Sequence, residues 1–163
     1  YVEIAPSGTC NHRCCFCAFD YLNYKPRFIK KDMLIKRLTE MAYCGVKSIM
    51  YSGEGEPLLH KDIVDLVLHT EKAGIQTALT TNGVLFNKDT AQKILGALSW
   101  IRISLSAATP ETYAKIHHCD SKDFKEVINN IINAVRLKRD KKMNSDKRKD
   151  KDKRKDKNGK LIP

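Results

Sequence analysis

Short β-type runs separated by longer helical patterns recur along this chain, and that alternation constrains its fold more than any other feature. The runs fall near residues 2–5, 48–51, 76–80 and 101–105, with helical spacing near 31–43, 61–73 and 88–98. Two further helices are predicted near 110–117 and 124–138. Repeated βα units lay their strands side by side in parallel, because each helix carries the chain back across the sheet. The predicted fold class is therefore α/β, built from about four βα units. Local signals agree with the boundaries. Asn87, Thr109 with Pro110, and Asp123 with Glu126 three residues on are N-terminal caps, the last as a capping box. Gly45 and Gly74 fall where helices should stop. Val127, Ile128, Ile131, Ile132 and Val135 share one helical face and are predicted to be core.

Directly after the first β run stands Thr9-Cys10-Asn11-His12-Arg13-Cys14-Cys15-Phe16-Cys17, with Cys10, Cys14 and Cys17 in the spacing C-x3-C-x2-C. A closed four-iron cluster takes four thiolates, so three leave one iron free for a ligand that is not protein. An open coordination position marks a reactive site rather than a structural one. Zinc is the competing metal, and His12 or Cys15 would then supply a fourth ligand. A disulfide framework suits small secreted domains, and nothing here looks like a signal peptide. Cys15 occupies a variable position of the pattern and is taken as a neighbour in the pocket rather than a ligand.

The cysteine spacing, Phe16 before the last cysteine and the position after the first strand resemble the signature of the radical S-adenosylmethionine (SAM) superfamily. The loop after the second run, Tyr51-Ser52-Gly53-Glu54-Gly55-Glu56-Pro57, resembles that family's Gly-Gly-Glu-Pro motif, with Glu54 in place of its first glycine. The resemblance implies a partial (β/α) barrel with active residues at the C-terminal ends of the strands, a [4Fe–4S] cluster on Cys10, Cys14 and Cys17, and SAM on the open iron. It implies that Gly53, Glu54, Gly55 and Glu56 hold the SAM amino group through backbone carbonyls and the Glu56 side chain. Asn82 in Thr81-Asn82-Gly83 is placed facing the cofactor, though Asn-Gly is also an ordinary turn pair. Ser104 and Ser106 are predicted on one face of the fourth strand, by period two, as contacts to the SAM ribose or carboxylate or else as polar barrel residues. The implied reaction is reductive cleavage of SAM to a 5′-deoxyadenosyl radical that takes hydrogen from a substrate the sequence does not name. A low-potential electron donor is the implied partner, and no general acid or base is required.

The resemblance runs from Tyr1 to about Lys142, giving a core of residues 1–142 and a tail of 143–163. The net charge of +11 belongs mostly to the tail: from Arg136 to Pro163 there are 14 basic and 5 acidic residues, leaving +2 for the rest. Residues 146–157 contain only Lys, Arg and Asp and are predicted to be disordered or a solvated helical extension. They arrive where a fifth strand would be expected, so the chain is taken as a piece or a short form of the barrel, truncated to four units. An exposed sheet edge would invite self-association or a covering partner. Two other readings stay open. One is a catalytically inactive iron–sulfur binding or electron-transfer module. The other is a zinc-stabilised nucleic-acid-binding domain, in which the tail contacts phosphates by counterion release. No apolar run is long enough for a membrane span, and six cysteines suit a reducing cytoplasm. Cys44 and Cys119 are expected to be buried or incidental thiols, His60 a helix-start residue, and His117-His118 a poor metal pair because adjacent helical residues point apart.

Overall fold

The computed structural model describes residues 1–18 and 25–153, with side chains described through Asp140. Four parallel strands, β1 (Val2–Ile4), β2 (Ser48–Tyr51), β3 (Gln76–Thr81) and β4 (Leu98–Ile103), lie in the order β1-β2-β3-β4. Helices α1 (Lys31–Tyr43), α2 (Ile63–Lys72) and α3 (Lys88–Ile94) make the crossovers, and α4 (Pro110–His117) and α5 (Lys122–Lys153) follow. In-register pairs such as Ile4 with Tyr51 and Tyr51 with Leu79 put successive hydrophobic side chains on one sheet face. Ile4, Ile49, Tyr51 and Leu79 from that face join Leu34, Leu38, Ile63, Leu66 and Val67 of α1 and α2, and Ile94 of α3, in one core. Tyr51 has no exposed surface, and its phenol bonds Thr70 Oγ1 at 2.7 Å, so this ring is buried without an unpaired polar group.

Asn87 and Thr109 act as predicted, accepting from the backbone N–H of Thr90 and Thr112. Gly45 and Gly74 end α1 and α2 with φ of +84° and +80°, which glycine adopts without steric cost. The predicted third helix ends sooner, at Ile94, and the fourth strand starts earlier, at Leu98, with a register irregularity beside Thr77 and Ala78.

Helix α5 departs most from expectation. It begins at Lys122, and Asp120, not Asp123, accepts from its first backbone N–H at 2.9 Å. The predicted capping box is therefore not formed, and the Asp123 carboxylate is released for another partner. The predicted apolar face is core only in part. Val127 is fully buried, whereas Ile132 and Val135 are 41% and 44% exposed. The buried stripe is rotated toward Asn130, whose amide donates to the carbonyls of Gly83 and Val84, and toward Ala134 and Leu137. The helix continues unbroken through Lys153, beyond the predicted end of the core at 142, and residues 154–163 of the predicted tail lie outside the described residues. Among the described residues no helix is long and apolar enough to cross a membrane.

Burial sets the energetic ranking of these positions. Leu38→Ala should cost about 3 kcal/mol through lost transfer energy and a residual cavity. Val135→Ala, already half in solvent, should cost less than about 0.5 kcal/mol. Urea unfolding of both variants measures the contrast.

Candidate functional site

The loops at the C-terminal ends of the strands converge above the sheet. The cysteine loop leaves β1 through Ser7, whose hydroxyl donates to the Thr9 carbonyl and accepts from the Thr9 N–H at 3.1 and 3.3 Å. Cys10 and Cys14 are half-buried and Cys17 is exposed, all as free thiols. The backbone N–H of His12 points at Cys10 Sγ (3.4 Å), and that of Cys17 donates to the Cys14 carbonyl at 2.9 Å. Arg13 closes the turn by donating from its guanidinium to the carbonyls of Cys10 and His12. Burial pushes the Cys14 thiol up to about 11, and the neighbouring Cys10 and Cys17 push in the same direction. Burial likewise raises Cys10. Cys15 turns outward, with its N–H donating to the Ile116 carbonyl at 2.9 Å.

The loop after β2 is pressed against the cysteine loop. A Cβ on Gly55 would lie 2.3 Å from the Ser7 carbonyl oxygen and 2.5 Å from that of Thr9, and one on Gly53, with φ +105°, would lie 2.3 Å from Ala5 Cβ. Only glycine fits at either position. The next residue, Glu56, donates its backbone N–H to the Thr9 carbonyl at 2.8 Å and is 2% exposed. Its Oε1 accepts from Leu58 N–H (3.0 Å) and the Thr81 hydroxyl (2.7 Å), and its Oε2 accepts from Asn82 N–H (2.8 Å). Burial raises its pKa while these three donors oppose the rise. The carboxylate is thus engaged with the ends of β2 and β3. Glu54 is exposed on the rim.

Asn82 faces the cysteine loop. Its amide donates to Asn11 Oδ1 at 2.7 Å and lies 3.9 Å from Cys10 Sγ, while its oxygen accepts from Val84 N–H. At the fourth strand the period-two argument stops early, because β4 ends at Ile103. Ser104 is fixed by its backbone N–H to the Thr81 carbonyl at 2.9 Å, and Ser106 lies beyond it with φ +47°. A left-handed serine is an uncommon conformation, held here by its neighbours.

Several residues of the site carried no motif. His117 turns inward at the end of α4, its Nδ1 3.0 Å from Cys14 Sγ and its Nε2 3.2 Å from the Leu105 carbonyl, while His118 faces outward. Burial lowers the His117 pKa. The donor atoms of His12, Cys14 and His117 lie within 4.8 Å of one another, as do those of His12, Cys119 and Asp123. Cys119 therefore adjoins the site, whereas Cys44 is exposed at the end of α1. His60 serves the start of α2, its Nδ1 accepting from Asp62 N–H and its Nε2 2.7 Å from the Ile29 carbonyl. Asn11 could have been suspected from its place between two ligand candidates. His117 and Asp123 are more than a hundred residues from the cysteines, and local spacing gives no sign of their approach.

The sequence profile of the Radical SAM superfamily matches residues 4–145. This chain belongs to that superfamily. A GTP 3′,8-cyclase of Limosilactobacillus fermentum is 34% identical over 121 residues, spanning 71% of this chain and 36% of that protein. A probable GTP 3′,8-cyclase of Saccharolobus solfataricus is 32% identical over 136 residues, spanning 82% and 43%. The chain thus spans about two fifths of the length of these curated relatives. Among solved structures, Streptococcus suis SuiB bound to S-adenosylmethionine superposes with a TM-score of 0.63 at 26% identity, covering 75% of this chain and 28% of that one. TYW1 with a lysine-pyruvate adduct bound, at 23% identity, shares the fold with a TM-score of 0.62 over 78% and 49%.

Members of this superfamily use a [4Fe–4S] cluster and SAM, and the residues present fit both. Three free thiols on one loop offer the number of donors that leaves one iron of such a cluster open. The glycine loop beside them is bare of side chains at the two points where backbones meet.

Two substitutions follow from this geometry. Gly55→Ala forces the two loops apart and should abolish cluster uptake, measured as iron per chain after reconstitution. Glu56→Gln replaces one acceptor oxygen by a donor, so either Leu58 N–H or Asn82 N–H loses its partner. That should cost about 1–3 kcal/mol in urea unfolding.

Proposed function

We propose that this chain is the cofactor-binding part of a radical SAM enzyme, with Cys10, Cys14 and Cys17 as cluster ligands and the loops after β2, β3 and β4 as the SAM cradle. The observation that carries this reading is the contact of the Gly55–Glu56 backbone with Ser7 and Thr9, which sets the glycine loop beside the cysteine loop. When bound, the cluster and SAM supply one-electron reductive cleavage, giving a 5′-deoxyadenosyl radical that abstracts hydrogen from substrate. A low-potential donor supplies the electron.

The chain's own residues have four tasks. Cys10, Cys14 and Cys17 bind iron as thiolates. Gly53, Glu54 and Gly55 present backbone carbonyls toward the open position, and Glu56, engaged through its carboxylate, fixes their orientation. Asn82 holds the cysteine loop through Asn11 and stands near Cys10 Sγ, where an N–H tunes the electron density of a ligand. Ser104 and Ser106 border the cradle from β4 and are assigned to the SAM ribose or carboxylate.

A zinc reading has one observation in its favour, the grouping of His12, Cys14 and His117. It leaves Cys10 and Cys17 without a task.

Anaerobic reconstitution with iron and sulfide, followed by SAM and a low-potential reductant, tests the proposal. The expected result is about four irons per chain and formation of 5′-deoxyadenosine, both lost in Cys10→Ala, Cys14→Ala and Cys17→Ala. Bound zinc without iron would favour the alternative. A fully loaded cluster whose electron paramagnetic resonance spectrum ignores SAM would reduce the chain to an iron–sulfur module.

A further inference from the structure

β1 and β4 are the two edges of the sheet, yet the cysteine loop that leaves β1 is fastened at the far side. Arg13 and Cys15 donate their backbone N–H groups to the carbonyls of His117 and Ile116 at 3.0 and 2.9 Å, so the loop crosses the top of the sheet to the corner between α4 and α5. Immediately before those points His12 drives its imidazole into the corner. The ring is fully buried, 5.8 Å from Tyr113 and 5.3 Å from His117 between centroids, and Nε2 lies 3.1 Å from Asp123 Oδ2. Its Nδ1 has no hydrogen-bond partner among the described residues. One hydrogen bond therefore holds the ring, and a buried imidazole without any would be costly.

Asp123 is free for this role because Asp120 takes the capping bond of α5. It stands in the first turn of that helix, where a negative charge is favoured. His12 in turn lies between two of the three ligand cysteines, and its own N–H points at Cys10 Sγ.

We propose that Asp123 is a positioning residue for the cluster: through its bond to the His12 imidazole it fixes the cysteine loop so that the Cys10 and Cys14 sulfurs face the same metal site. Cys10 and Cys14 flank the anchored residue, while Cys17 and Cys15 are exposed and supply no burial of their own to hold the loop. Groups beyond the ligands that set their direction commonly change metal retention by one to two orders of magnitude. This inference rests on the proposed cluster site.

The test uses the full chain, reconstituted anaerobically, as Asp123→Ala, Asp123→Asn and His12→Phe. The first and third remove the bond, and the third keeps a ring in the corner should the first fail to fold. The second keeps an oxygen able to accept the imidazole N–H. Iron loss to excess chelator should be roughly tenfold faster in Asp123→Ala and His12→Phe. The electron paramagnetic resonance spectrum of their reduced, SAM-bound clusters should broaden into a mixture. Asp123→Asn should restore both readouts to within about twofold of wild type, since a neutral acceptor still makes the bond. Wild-type behaviour in Asp123→Ala, or an Asn variant as impaired as the Ala variant, overturns the proposal while leaving the cluster reading intact. A wild-type chain that takes up no cluster overturns the cluster reading itself, and this inference with it.

Discussion

The buried carboxylate of Glu56 is the junction on which the upper side of this sheet depends. It is 2% exposed and receives three hydrogen bonds, from Leu58, Thr81 and Asn82, while its backbone N–H reaches the cysteine loop at Thr9. Burial disfavours a charge in that position, and the three donors directed at it oppose that penalty. The consequence is geometric: the ends of β2 and β3, through its side chain, and the loop beyond β1, through its backbone, are held in one arrangement by one residue. Resemblance to known relatives assigns this glutamate to the SAM amino group, whereas its visible partners make it the residue that shapes the cradle.

Parallel sheets concentrate chemistry at one end because each strand delivers its following loop there. Here that placement is reinforced by close approach. Two glycines remove the side chains that would separate neighbouring loops, and Asn82 spans from β3 to Asn11. The cysteine loop then continues across the arc to α4, so loops from both sheet edges meet. An open half-barrel thereby obtains a partly closed upper surface from its own residues.

Much of this was legible in the residues because its signals are local. Strand and helix alternation, the caps Asn87 and Thr109, and the positive-φ glycines Gly45 and Gly74 each depend on a few neighbouring positions. The cysteine spacing and the glycine loop were legible for the same reason, and the superfamily match agrees with them. The failures concern long-range competition. Asp123 has the sequence context of a cap, but Asp120 is better placed for it, and a histidine 111 residues away takes the freed carboxylate. Ile132 and Val135 share helical spacing with Val127, yet only Val127 is fully buried where α5 packs on α3 and α4. Which side of an apolar helix is buried depends on what lies across from it, and spacing alone does not carry that.

Burial pushes the Cys10 and Cys14 thiols toward their neutral form. Desolvation is the first cause in both: it carries Cys14 to about 11 with Cys10 and Cys17 adding to the rise, and it raises Cys10 against the opposing His12 N–H, with Glu56 adding to the rise. Thiolates on this loop would repel one another, and the half-burial of Cys10 and Cys14 removes water that would screen them. For the proposed cluster, thiols in their neutral form share this space without repulsion, and metal binding would release protons and supply the positive charge that stabilises thiolates. A loop fixed at Thr9, Asn11 and His12 meets that demand with little reorganisation.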